Sequence, residues 1–584
     1  MRIAVLPRKG GALRTREHVE TGLVLGACGV MLFLRLGGVC PLTTPNEGLY
    51  GQAAREMLWT GDWIIPHINT VPYLEKPPLL YWLAALCMML FGETALAARL
   101  PSAVAGAATV LLLLRAGRRM RPGSGLGAFS GVVLASCLGF AFMSRQVMFD
   151  ALLTCFMTWA LVAWWEAGEE RRLAASVQIW LALALAVMSK GPIGLGLPVA
   201  VMLATALVTH GARRLRVLGH PAGLAVFLLV AAPWHILAAM RCKEFAWFYF
   251  VNEQFLRFRG VRWPPDFPHL SVPTLLGVTF CMALPWAALA FVGARNLLAS
   301  RGNDPARAAE AAFLLCWTLV PIAFFSASAC RANYYLLPIL PPLALIVGQL
   351  WDARPDRAGT GPRRRRLAAP LAFLALVLML GWLWAVQDAH SGRHEDGSSL
   401  LGACTAWMMV AGLIGATVLA LRGRRRAALV AVAVGAFLMW GAAAVLAPAL
   451  LHLTGPADAA RLIADSATAA APAVAISGRL EDSSSLVFCL PRRLLPVYVV
   501  NGRTGGDMEF GSRYPQVDHL FITSRDLARM AAARRVLFAT GGQVPNSPPG
   551  LWRALGKRPP LTIWESVPRP VTSPHDLRRA PRDR

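Results

Sequence analysis

The stretch RRRRLAAPLAFLALVLMLGWLWAV, residues 363–386, sets four arginines against twenty uncharged residues. At 1.5 Å per residue, roughly 20 apolar residues cross the ~30 Å hydrocarbon layer of a bilayer. The stretch therefore reads as a spanning helix with a basic block at its cytoplasmic end. The same pairing recurs on both sides of it, with blocks at Arg115–Arg121, Arg213–Arg216 and Arg422–Arg426. Apolar spans fall near 21–39, 97–114, 126–143, 151–166, 173–189, 193–209, 221–239, 272–292, 310–328, 335–350, 367–386, 399–421 and 427–448, about thirteen in all. Over the 584 residues, 56% are hydrophobic and only 15% charged, with a mean hydropathy of +0.50, which excludes a water-soluble globular protein. The formal charge of +26 is gathered in the inter-span blocks, so it marks cytoplasmic loops rather than a nucleic-acid partner. The eleven cysteines show no CxxC or Cys/His spacing, which predicts neither a disulfide framework nor a cysteine-ligated metal.

Leu79–Phe91 is apolar but too short to cross and follows Pro77-Pro78, so it reads as an interfacial helix. With that assignment the basic loops 1–20, 115–123, 210–217, 293–307, 352–366 and 422–426 share one side; a spanning 79–91 would turn the later blocks outward. The expected fold class is an all-α polytopic membrane protein carrying a small C-terminal α/β domain. Its parts are a cytoplasmic N-terminus over 1–20, whose first apolar run has no cleavage site and stays uncleaved, and a transmembrane domain over 21–448. The outer loop 40–96 carries interfacial helices, an exoplasmic soluble domain covers 449–567, and 568–584 is a disordered Pro/Arg-rich tail. Short β-like runs at Val474–Ile476, Val497–Val500, Leu520–Thr523 and Val536–Phe538 mark the soluble domain.

In the first outer loop, Thr44-Pro45-Asn46-Glu47 opens a helical pattern in which Leu49, Tyr50, Ala53, Ala54, Met57 and Leu58 share a face and Arg55 and Glu56 lie opposite. This predicts an amphipathic helix on the membrane surface. Thr-x-x-Glu is also a capping box, so Glu47 is open to two roles, a cap and an acid at the mouth of a cavity.

Asn46-Glu47-Gly48-Leu49-Tyr50, Ala54 to Leu58, Gly61-Asp62-Trp63 and Tyr73-Leu74-Glu75-Lys76-Pro77-Pro78-Leu79-Leu80-Tyr81-Trp82 together resemble the aminoarabinose transferase branch of the protein O-mannosyltransferase-like superfamily, which has the C-type glycosyltransferase fold. The resemblance continues through Arg145 to Asp150, Ser189-Lys190-Gly191-Pro192, Ala232-Pro233-Trp234, Glu253 to Phe258 and Asn333 to Pro338. It implies a membrane glycosyltransferase of the bacterial inner membrane. Such an enzyme moves a sugar from an undecaprenyl-type phosphate donor to a lipid A-type lipid, a glycan or a protein on the outer, periplasmic side.

A lipid phosphate at the interface calls for fixed cations, and Lys76, Lys190, Arg257 and Arg331 fall in outer loops or at outer helix ends, where basic side chains otherwise only snorkel to headgroups. The acids expected to bind or deprotonate the acceptor are Glu47 and Asp150; Asp150 is alternatively a partner of Arg145. Asn46 stands where the resemblance implies Asp, and an amide orients but does not accept a proton. Tyr50, Glu75, Arg145, Glu253, Tyr334 and Tyr335 complete the expected cavity, with Glu253 and Arg257 also spaced for a helical ion pair. Spacing supports no divalent metal site, since Gln254 stands where relatives often carry His, and His390, His394, Glu395 and Asp396 read as a solvated loop.

Two other readings fit a polytopic chain. A lipid flippase is disfavoured by the large first loop and the absence of inverted repeats, and a non-catalytic relative is kept in view by Asn46. The topology is tested by reporter fusions after residues 120, 365 and 460, which should report inside, inside and outside. An outside signal at 365 reverses the assignment of every loop.

Overall fold

The computed structural model describes residues 9–38, 42–167, 172–265, 270–299, 304–352, 361–391, 398–450, 455–467, 472–541 and 551–567. His394, Glu395, Asp396 and the tail from 568 lie outside the described residues. The chain forms two compact units: one of residues 1–38, 60–65 and 74–452, the other of residues 39–59, 66–73 and 453–584.

Among its described residues the membrane unit is built of helices joined by loops, with no strand. Each of the thirteen stretches read as a span is mainly helical over its described residues, but among the described residues only six helices are long and apolar enough to cross a bilayer, or eight if each bent pair is one span. The six are Ala95–Met120, Arg172–Lys190, Pro221–Arg241, Pro305–Ala327, Arg365–Trp384 and Arg425–Leu446. The expected count of thirteen is corrected for two reasons. Some stretches are short, as in Ile193–Val208, whose 16 residues rise only ~24 Å. Others break, as in Leu126–Ser136 with Leu138–Ser144, bent by 70°, and Val272–Met282 with Ala287–Ala299, bent by 94°. Leu79–Phe91 forms the expected 13-residue helix.

The basic blocks gather at one end of this unit. Arg115 pairs with Glu166, the last residue of helix Phe149–Glu166. Arg172 donates to the Arg216 carbonyl at 2.6 Å, and Arg214 lies 4.6 Å from the Trp165 ring centroid. Arg121 donates to Gln349 at 2.9 Å, and Arg426 stacks on Trp351. Helix Phe149–Glu166 thus has its last residue among arginines, while Asp150 stands in its first turn, some 16 residues and ~24 Å away.

The second unit is built on a six-stranded sheet. Following a short hairpin of β1 (His67–Ile68) and β2 (Val71–Pro72), its strands are β3 (Ala473–Ser477), β4 (Tyr498–Val500), β5 (Phe521–Ile522), β6 (Val536–Thr540), β7 (Trp552–Arg558) and β8 (Leu561–Ser566). Their order is β5-β4-β3-β6-β8-β7, with β5, β4, β3 and β6 parallel and β8 antiparallel to both β6 and β7. The parallel part follows from strands separated by helical crossovers such as Ser524–Ala533, and β7 and β8 form a hairpin about Pro559-Pro560. Val500, Leu527, Ala531, Val536 and Phe538 form its core.

Helix Asn46–Thr60 does not show the exposed polar face read from its sequence. All residues from Glu47 to Met57 are buried, Arg55 and Glu56 among them. Arg55 donates to the carbonyls of Phe488 (2.6 Å), Val487 (3.0 Å) and Leu490 (3.2 Å), which a charged side chain can do only by leaving solvent for an interior lined with acceptors. Glu56 accepts from Gln52 at 2.6 Å and from the backbone of Asn69 and Thr70 at 2.5 and 2.9 Å. Asn69 in turn exchanges two bonds with the Val497 backbone, at 2.7 and 2.9 Å.

Gly48 lets this helix approach Ser484: a Cβ there would lie 2.5 Å from the Ser484 carbonyl carbon and 2.6 Å from the Ser485 nitrogen. Gly48→Ala gains up to about 1 kcal/mol of helix propensity but forces two backbones apart. The clash dominates, so the variant should melt earlier than wild type by differential scanning fluorimetry. A later melt would show that the close approach carries no constraint.

Candidate active site

Two sets of ionic side chains meet in the membrane unit. The first is made by helix ends. Asp150 sits in the first turn of Phe149–Glu166 and Lys190 closes Arg172–Lys190, each at the terminus whose dipole favours its charge. They form a direct ion pair, with both side chains largely buried. Lys190 Nζ also lies 4.6 Å from the Tyr335 ring centroid and 5.3 Å from that of Tyr334, a cation–π arrangement. The chain turns immediately at Gly191, whose φ of +86° suits glycine, and a Cβ there would stand 2.8 Å from the Tyr249 hydroxyl.

The second set is centred on two carboxylates. Glu75 precedes Lys76 in the first loop, and Glu253 lies on the π-helix Trp247–Leu256. Arg262 bridges them, with Nη2 at 2.5 Å from Glu75 Oε1 and Nε at 3.0 Å from Glu253 Oε1; all three side chains are at most 2% exposed. On the other edge of the pair, Lys76 Nζ stands 3.2 Å from Glu75 Oε2 and 3.8 Å from Glu253 Oε2, and Arg257 Nη1 lies 2.9 Å from Glu253 Oε2. Lys76 and Arg257 keep 15% and 22% of their side-chain surface exposed, so they are the open side of the cluster. Lys190 is near enough for Lys76 and Arg257 to repel it, which joins the two sets.

Arg262 is placed by its neighbours. The Asn252 side chain accepts from the Trp263 N–H at 2.9 Å and donates to the Trp263 carbonyl at 2.5 Å, clamping the loop onto the π-helix one residue from Glu253. Burial acts to raise the Glu75 carboxyl, but Arg262, Lys76 and Arg257 outweigh it and hold it down to about 2. Burial, and then the Glu75 charge, push Glu253 up to about 7 despite the same three cations. Among the described residues no three His, Cys, Asp or Glu side chains converge as a metal ion would require.

The structure thus brings Lys76, Lys190, Arg257, Glu75, Glu253, Asp150, Tyr334 and Tyr335 together. It gives other expected site residues different partners. Arg145 donates to the carbonyls of Leu34 (2.8 Å) and Met31 (3.3 Å), so the partner of Asp150 is Lys190 and not Arg145. Arg331 donates to the carbonyls of Leu270 (2.6 Å) and Ser328, securing the end of helix Pro305–Ala327. Asn46, Glu47 and Tyr50 belong to the second unit. Glu47 Oε2 accepts from the Thr43 backbone (3.0 Å) and hydroxyl (2.9 Å), so the helix start is closed by Thr43 rather than by the expected Thr44. Tyr50 reaches the Asn46 side chain at 3.4 Å. Arg262, absent from the sequence reading, has no local signal beyond an arginine in a loop.

Fold and site together define a polytopic membrane protein of the C-type glycosyltransferase fold with a buried ionic cluster in its helical unit. Residues 75–237 match the family described as dolichyl-phosphate-mannose-protein mannosyltransferase. The fold matches the crystal structure of ArnT from Cupriavidus metallidurans bound to undecaprenyl phosphate with a TM-score of 0.78, at 22% identity over 95% of this chain and 98% of that one. The chain is 31% identical over 399 residues to the undecaprenyl phosphate-alpha-4-amino-4-deoxy-L-arabinose arabinosyl transferase of Pseudomonas paraeruginosa, covering 63% of this chain and 71% of that one. It is 26% identical over 510 residues to the enzyme of the same name from Erwinia tasmaniensis, covering 85% and 88%. In several other relatives the match spans 55 to 64% of their length, and in one 70%. The chain belongs to this arabinosyl transferase family.

The bridging arginine yields a direct test. Arg262→Ala leaves two buried carboxylates without the cation between them, and breaking such an arrangement costs about 3–5 kcal/mol. The purified protein should melt well below wild type, with Arg262→Lys in between. Unchanged melting in Arg262→Ala would deny the bridge any structural weight.

Proposed function

We propose that this chain transfers an aminoarabinose-type sugar from undecaprenyl phosphate to an envelope acceptor on the periplasmic face of the bacterial inner membrane, and that Lys76, Lys190 and Arg257 hold the donor phosphate. The observation that carries this reading is the cluster itself. Its acids, Asp150, Glu75 and Glu253, stand against Lys190, Lys76, Arg257 and Arg262, a formal balance of one positive charge when all are ionised. That positive excess attracts a phosphate anion. The departing lipid phosphate is stabilised by these fixed cations, so the leaving group needs no general acid.

The two ends of helix Phe149–Glu166 support the orientation. Its last residue pairs with an arginine of the basic loops and Asp150 opens the other end, so a cytoplasmic Arg115–Arg121 block supports an outward-facing site, with the N-terminus cytoplasmic and the second unit periplasmic. Because Asp150 is engaged by Lys190 and Glu47 by Thr43, the arrangement favours an acceptor that arrives already ionised, such as the phosphate of a lipid A-type lipid, over a hydroxyl that needs a base. Arg145 and Arg331 act on backbone carbonyls, as positioning residues.

Lys76→Ala and Lys190→Ala should each weaken binding of undecaprenyl phosphate by tenfold or more, since a charge-assisted contact to phosphate is worth about 1.5–3 kcal/mol. Wild-type affinity in both variants would remove them from the phosphate site.

A further inference from the structure

The cluster is more elaborate than phosphate binding by exposed cations requires. Two carboxylates lie within 4 Å of the two lysine and arginine head groups on its open side, where they oppose an incoming anion. Arg262, at 2% exposure, is sealed behind them. We propose that Glu253 is the charge-compensating group of the donor site: it takes up a proton when the lipid phosphate settles against Lys76 and Arg257, and Arg262 positions it to do so. This rests on the reading above that these cations hold the phosphate.

The geometry carries the argument. Glu253 Oε2 is the atom shared by Lys76 and Arg257, so an anion that binds both cations is brought close to this carboxylate. Like charges that close cannot both be accommodated cheaply away from water, and the relief is protonation of the weaker acid. The groups facing Glu253 are Glu75 and Lys76 from the first loop, Tyr249 and Arg257 on its own helical segment, and Arg262 from the loop after it. Among the two acids, Arg262 and Lys76 keep Glu75 ionised, which leaves Glu253, already raised to about 7, to respond. With Glu253 neutral, one carboxylate charge faces three cations, and the second negative charge that appears on the phosphate when the glycosidic C–O bond breaks meets a matching positive excess.

The sign of the linkage follows. An acid whose affinity for protons rises on binding makes binding proton-consuming, so affinity is full below its free value, here about 7, and falls above it by up to about tenfold per pH unit.

The probe is a synthetic polyprenyl methyl phosphodiester, which has no titration of its own near neutrality. Calorimetric titration of the wild-type protein at pH 7 in two buffers of different ionisation enthalpy should show net proton uptake, and affinity should fall between pH 7 and 8. Glu253→Gln should bind the probe with no uptake and with affinity flat from pH 6 to 8. Absence of uptake by wild type, or uptake unchanged in Glu253→Gln, overturns the proposal. If Glu253→Gln does not fold, the wild-type proton count alone decides. Failure of the phosphate assignment is read separately, as full probe affinity in Lys76→Ala.

Discussion

The Arg262 guanidinium lies between the Glu75 and Glu253 carboxylates, with all three side chains at most 2% exposed. Taking a carboxylate out of water costs several kcal/mol even after relaxation, so two of them persist side by side only because a cation bridges them. Arginine suits the position because its planar fork can serve two acceptors at once and stays charged when buried. Everything on the open side of the cluster depends on it: the carboxylates it fixes are the ones that hold Lys76 and Arg257 in place.

The helices supply the remaining cation by another route. Lys190 and Asp150 come from opposite termini of two helices whose contact brings the ends together, so each charge complements its own helix and the other side chain. Gly191 then turns the chain without a side chain to strike Tyr249. The same helices carry Glu166 and Arg172 at their other ends, among the basic loops, so the position of the ionic cluster and the sidedness of the arginines are aspects of one arrangement.

The second unit shows how a segment that looks amphipathic can be fully engaged. Arg55 and Glu56 spend their charge on backbone groups of residues 487–490 and 69–70, satisfying carbonyls and N–H groups that burial would otherwise leave unpaired. The sheet needs residues more than four hundred positions earlier in the chain to complete its surroundings.

Sequence alone determined the membrane class, the helical character of most of the apolar stretches and the first four strands of the large sheet. These are carried by local composition, period and motif, which a chain expresses before it folds. Tertiary structure decided the rest. Whether a helical stretch is straight and long enough to span depends on breaks at Cys137 and Leu284-Pro285 that hydropathy averages over. Asp150 chose Lys190 over Arg145, five residues away, because contacts between helices set ion pairs, whereas sequence distance does not. Arg262 is the plainest case. A loop arginine reads as solvent-exposed, and only the Asn252 clamp, the neighbouring Glu253 and the distant Glu75 make it the buried centre of the cluster.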